Sequence, residues 1–150
     1  MSESPKPSEI RERILAQHAQ LRTQLDALEK AAAELEADGD MGPVKAAAKD
    51  VHDRLFAHVK EEEQLLVPAL READGFGPVR VDALRQEHRE QRELLDGICQ
   101  GVLDAHSSAE VKERVDDLVR RIREDMEEEE RTHLDPNLLK DDLVTTSFGG

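Results

Sequence analysis

The chain has no tryptophan, no tyrosine and only three phenylalanines in 150 residues. That removes the aromatic platforms on which single-stranded nucleic acids stack, and with them much of the residue stock that favours sheets. Cysteine is nearly absent too. The single Cys99 excludes an internal disulfide and fits a reducing, cytoplasmic setting; as a small apolar residue on a helix it gives no sign of being a nucleophile. No apolar run approaches the roughly 20 residues that span a bilayer, and residues 1–8 lack the apolar stretch of a secretion signal. Basic residues are outnumbered, 21 against 35 acidic ones, for a formal charge of −14. A chain so acidic is a poor partner for nucleic acid or an anionic membrane.

What the chain does have is helical periodicity. Ile10, Ile14, His18, Leu21, Leu25, Leu28, Ala32 and Leu35 keep one alternating four-and-three step, which predicts a first helix over about Glu9–Ala37 with Ser8 as its N-cap. Pro43 suits the opening of a second helix running to about Ala73, with a kink at Pro68. A third helix carries Val81, Leu84, His88, Gln91, Leu95, Ile98 and Val102 to near Ala105, and a fourth, capped from the His106–Ser108 link, carries Val111 through His133 to Pro136. Four long amphipathic helices on short connections predict an all-α, up-down-up-down antiparallel four-helix bundle. The expected domain is 9–141, between a leader (1–8) and a polar tail (142–150).

Polar residues interrupt the seams. His58 and Glu62, four apart and so on one helix face, stand where Leu or Ile would continue the series Val44, Ala48, Val51, Leu55. A carboxylate in that position costs several kcal/mol unless something neutralises it, and a metal ion is the natural candidate. The sequence also repeats: His18–Asp26 aligns with His88–Asp96 at an offset of 70, and His58–Pro68 aligns with Met126–Pro136 at an offset of 68, pairing Glu62 with Glu130. The first two helices therefore read as a hairpin recurring in the last two. Counted from the expected helix ends, His18, His88, Glu62 and Glu130 all fall at one level of an antiparallel bundle, roughly three turns in. A lone seam histidine is usually just a hydrogen-bonded core residue; three on three helices beside two carboxylates point to a metal layer. His52, one residue off the seam, and His106, at a helix end, are expected at the surface. The run Glu127–Glu130 would ordinarily be a solvated face.

The pattern His18, His58-x3-Glu62-Glu63-x4-Pro68 and His88, with a second carboxylate–proline block in the fourth helix, resembles the hemerythrin-like (HHE cation-binding) family over about 9–141. The resemblance implies a four-helix bundle around a non-haem di-iron centre, oxo- or hydroxo-bridged, with manganese less favoured. His18, His58 and His88 would be terminal ligands, and Glu62 and Glu130 the bridges. This chain departs from the family at Met126, where a histidine is usual, and at Arg92, where many members have a second histidine in the third helix. The missing ligand is expected from Glu127, or else from His133, which forms a Glu-x2-His spacing with Glu130; Glu127 is the preferred choice. Fewer imidazoles make a harder ligand field, which favours the ferric state and argues against reversible oxygen carriage. The function implied is reaction with, or sensing of, O2, NO or peroxide, with peroxidase-, catalase- or oxidase-like turnover left open. The alternatives are a metal-free helical interaction module and an iron-responsive regulatory domain.

Overall fold

The computed structural model describes residues 5–37, 39–97 and 107–141. Expectations for Ile98, Cys99, Val102, Ala105, His106, the leader up to residue 4 and the tail 142–150 lie outside these. Among the described residues the structure is helical without a strand: α1 (Pro7–Ala33), α2 (Gly42–Glu61), a π-helical turn (Glu62–Leu66), α3 (Val67–Ala73), α4 (Gly77–Gly97) and α5 (Ser108–Arg131). No described helix is long and apolar enough to cross a membrane.

Each helix starts and stops for a local reason. Pro7, which has no N–H to leave unsatisfied, opens α1. Ser8 is therefore not the cap that the sequence suggested. It lies inside the helix, and its backbone N–H and Oγ donate to the Asp141 carboxylate at 2.9 and 2.7 Å, tying the two ends of the described chain together. The helix stops at Ala33, short of Ala37, yet Leu35 still folds back into the core at 6% exposure. Ser107 caps α5 by accepting the Glu110 N–H. That helix ends at Arg131, before Pro136, in a turn where the Leu134 N–H reaches back to Glu129 O at 2.9 Å.

The second helical stretch runs unbroken from Gly42 to Ala73 by changing its hydrogen-bond register. In an α-helix the Pro68 ring would press on the carbonyl of Gln64 and leave it without a donor. The wide π turn just before it resolves this, with the Val67 N–H bonding Glu62 O, five residues back. The adjustment expected at Pro68 takes this form, and the turn begins on Glu62.

Against α1 pack both α2 and α5, while α3 packs on α4, which also touches α2 and α5. The core is in two apolar blocks. One holds Leu21, Leu25, Leu28, Val51, Leu55, Val59, Leu95, Ile122 and Met126; the other holds Ile10, Ile14, Leu66, Leu70, Leu84 and Leu134. Each such side chain, once shut off from water, contributes about 1.5–3 kcal/mol. Between the blocks, every helical stretch contributes polar residues instead. His18 comes between Ile14 and Leu21, His58 and Glu62 between Leu55 and Leu66, His88 and Gln91 between Leu84 and Leu95, and Glu129 and His133 follow Met126, all of them buried.

The turn 74–78 sets how α4 meets α3. Asp74 accepts the Phe76 N–H at 2.8 Å and a bond from Arg80 at 3.0 Å. Gly77 then passes so close to α3 that a Cβ there would lie 2.6 Å from Arg71 O and 2.7 Å from Leu70 O. Both are helix backbone and cannot swing aside. Gly77→Ala should therefore lower stability by about 1–3 kcal/mol, read as a lower urea midpoint; an unchanged midpoint would mean that the α3–α4 approach is not tight.

Candidate metal centre

The polar layer converges. One ligand atom from each of His18, His58, Glu62 and Glu129, contributed by three separate helical stretches, lies within 4.8 Å of the others, and all four residues are buried. The His58 Nε2 meets Glu62 Oε1 directly. Glu62 Oε1 is also 3.6 Å from His88 Nε2, so the carboxylate stands between imidazoles of two helices. Across the layer, His18 Nε2 lies 3.3 Å from Glu129 Oε1, and the rings of His18 and His58 are 5.0 Å apart.

All three rings are oriented from behind in the same way. His18 Nδ1 donates to Glu130 Oε2 at 2.7 Å, His58 Nδ1 to Gln17 Oε1 at 2.6 Å, and His88 Nδ1 to Glu63 Oε1 at 3.3 Å. Two of these acceptors are themselves fixed, Glu130 by Arg22 at 2.9 Å and Glu63 by Arg85 at 3.3 Å. A carboxylate can only accept, so Nδ1 carries the proton and Nε2 presents its lone pair inward, which is how a protein prepares an imidazole to bind a cation.

Hydrogen bonds within the layer leave it incomplete. His18 Nε2, His88 Nε2, Glu62 Oε2, Glu129 Oε1 and His133 Nδ1 are all buried without a hydrogen-bond partner in the protein. The 3.3 Å contact of His18 with Glu129 is close but not aligned as a hydrogen bond. Five orphaned atoms at about 1–3 kcal/mol each would take up much of a small domain's roughly 5–15 kcal/mol of net stability. A cation satisfies nitrogen lone pairs and carboxylate oxygens together, so the donor set fits one.

Comparison with known families identifies the fold: the hemerythrin HHE cation binding domain matches residues 9–134. The chain belongs to this family. Neither the curated proteins nor the solved structures compared with it gave a match.

Within this HHE domain the residues singled out from sequence divide. His18, His58 and Glu62 come together, and His88 stands beside Glu62. Glu130, expected as a bridge, lies outside the layer: partly exposed, it holds the back of His18, and Glu129 occupies the inner position. The reason is helical phase. His58 follows Leu55 by three, so the next inward position is four on, at Glu62. Met126 follows Ile122 by four, so the next is three on, at Glu129, and then His133. The same phase places Glu127 at the surface, which removes the preferred substitute ligand. His133, the other substitute, is buried, and its pKa is lowered by that burial and by the charge of Arg80, with Glu62 and His88 also close enough to act on it. Met126 is packed in the apolar block beside the layer and Arg92 is exposed. His52, expected at the surface, is half-buried and pairs with Asp53 and Asp96. Gln17 and Glu63 were not foreseen in their orienting roles, though Glu63 sits in the helix motif itself.

Charge in the layer is unevenly placed. Burial would raise Glu62, but the facing imidazoles of His58 and His88 outweigh it and hold the carboxyl well below the usual range. Glu129 goes the other way, raised well above the usual range by burial and by the negative charge of Glu62. Glu87, one residue before His88, is pushed up to about 8 by burial and then by the charges of Asp125, Glu62, Glu128 and Glu90. His18 is lowered by burial, against the pull of Glu130. Asp125 is raised by burial although Gln91 donates to it at 3.1 Å.

These shifts set a pH dependence for the metal-free protein. Between pH 7 and about 8 the folded chain keeps a proton on Glu87 that the unfolded chain, with a carboxyl near 4.5, has already lost, and Glu129 is raised in the same direction. The folded state then binds more protons, so stability must fall as pH rises. His18 and His133, lowered below 6.5, act the other way, but the unfolded chain holds only about a quarter of a proton on each at pH 7 and less above it, so Glu87 prevails. The melting temperature of metal-free protein should therefore decline from pH 7 to 8, and Glu87→Gln should flatten the decline. A melting temperature that rises over this interval would contradict the assignment.

Proposed function

We propose that this HHE domain holds two iron ions in the layer and reacts with, or senses, O2, NO or peroxide. The observation that carries the reading is Glu62, a fully buried carboxylate set between His58 Nε2 and His88 Nε2 from different helices, with Glu129 facing it. Both nitrogens face Glu62 Oε1 while its Oε2 is buried without a partner, so the carboxylate has a second oxygen to offer a second cation. His18 and His58 would serve one side, His88 and His133 the other, and Glu62 and Glu129 would join them. The bundle is read as up-down-up-down and antiparallel, which puts these residues at one level. Imidazole with carboxylate suits iron, and manganese less well.

A pair of iron ions supplies one- and two-electron chemistry toward small oxidants. The protein's share is arrangement. Gln17, Glu130 and Glu63 fix three rings as Nε2 ligands, Arg22 and Arg85 hold two of those acceptors, and the two apolar blocks exclude water from the layer. Glu129 holds a proton that leaves as a cation binds, so metal affinity should increase with pH.

Metal analysis after iron loading tests the reading. The intact chain should hold about two metals, and stripping them should lower the melting temperature by well over a few degrees, since binding to the folded state alone stabilises it. Glu129→Gln should lose at least one metal while Glu127→Ala keeps both. Glu130→Gln, which only loosens His18 from behind, should weaken binding about 10–100-fold. A folded protein that takes up no metal from ferrous or ferric solutions would refute the proposal. Loss in Glu127→Ala with retention in Glu129→Gln would refute the ligand set.

A further inference from the structure

Beside the metal layer, on the face between α2 and α4, lies a pocket of about 230 Å³. Its floor is apolar, made by the buried Leu55, Val59 and Leu95, and Phe56, 60% exposed, forms one wall. Its inner end is closed by Glu63, which orients His88, and by Gln91, one turn past His88 and bonded to Asp125. The pocket thus shares Glu63 with the surroundings of the layer.

The charges around it are unbalanced. Both of its acidic residues are engaged: Glu63 with Arg85 and His88, and Asp96 facing His52 Nε2 at 4.0 Å. Its two strong cations, Arg92 and Lys60, are exposed and have no hydrogen-bond or ion-pair partner among the described residues. Arginines nearby are paired, Arg13 with Glu61, Arg22 with Glu130 and Arg85 with Glu63. Two uncommitted cations at the mouth of an apolar pocket match a molecule with an anionic head and an apolar body. The volume lies below the ~300–1,000 Å³ of sites that take drug-sized ligands, so the body is short. Arginine's planar fork suits a carboxylate head.

We propose that this pocket binds a small aliphatic carboxylate, its chain on Leu55, Val59, Leu95 and Phe56 and its head on Arg92 and Lys60. The bound molecule lies against Glu63 and Gln91, so its binding bears on the Glu63 contact that orients His88. Binding itself does not require the layer to hold metal.

Three probes on the unaltered protein separate the terms: octanoate, with head and chain; 1-octanol, with the chain alone; and acetate, with the head alone. Titration calorimetry should find octanoate binding at least about tenfold more tightly than either of the others, as one charge-assisted contact warrants. Methyl NMR should place the octanoate shifts on Leu55, Val59 and Leu95. Arg92→Glu should weaken octanoate about tenfold and leave octanol unchanged, and Arg54→Glu, exposed on α2 outside the pocket, should change neither affinity. Octanoate binding no better than octanol, shifts elsewhere, a folded Arg92→Glu variant of unchanged affinity, or no binding at all would each overturn the proposal. Because the probe series uses the unaltered chain, a variant that fails to fold leaves the test decisive.

Discussion

A carboxylate closed off from water inside a helical bundle has to be neutralised, and Glu62 and Glu129 impose that condition on everything around them. Each is at least 96% buried, at 1% and 4% exposure. Were both ionised, two negative charges would face each other in a medium that screens them poorly. The metal-free protein meets the condition in part by setting His58 and His88 on Glu62 and by keeping a proton on Glu129. That arrangement still leaves five polar atoms unpartnered. A layer tolerated at such expense in stability is the kind of local inconsistency that marks a functional site.

The apolar blocks give this layer its geometry as well as its dryness. Because Ile14 and Leu21 flank His18, and Leu55 and Leu66 flank the His58–Glu62 pair, the level of each polar side chain is fixed by packed neighbours one turn away on either side. Rotation about each ring is then removed by an acceptor at Nδ1. These acceptors differ in kind. Gln17 is neutral, whereas Glu130 and Glu63 are acids tied to arginines, so the rings of His18 and His88 are backed by a carboxylate and that of His58 by an amide. The centre is asymmetric in its outer contacts before any ion is considered, and the pocket lies on the His88 side.

Much of the fold could be read from hydrophobic spacing alone, because each helix buries one stripe and the stripe is written in the sequence. The three histidines were conspicuous for the same reason, as polar residues on that stripe. What the internal repeat misplaced was the phase of the last turn of α5. The internal repeat pairs Glu62 with Glu130, but a repeat records ancestry and burial follows the helix angle; one residue of phase moves Glu130 outward and brings Glu129 in. Counting the four-and-three steps from Ile122 and Met126 would have found it. The π turn at Glu62 depends on how the chain relieves Pro68, and the roles of Gln17 and Glu63 depend on which helices become neighbours, so neither was accessible from spacing.

The most direct measurement is anomalous diffraction at the iron absorption edge from crystals of iron-loaded protein. The account predicts two peaks inside the layer bounded by His18, His58, Glu62, His88 and Glu129, with the Nε2 atoms as the nitrogen ligands. Loaded crystals with no peak in that layer, or with iron only on the exposed acids of α5, would contradict it.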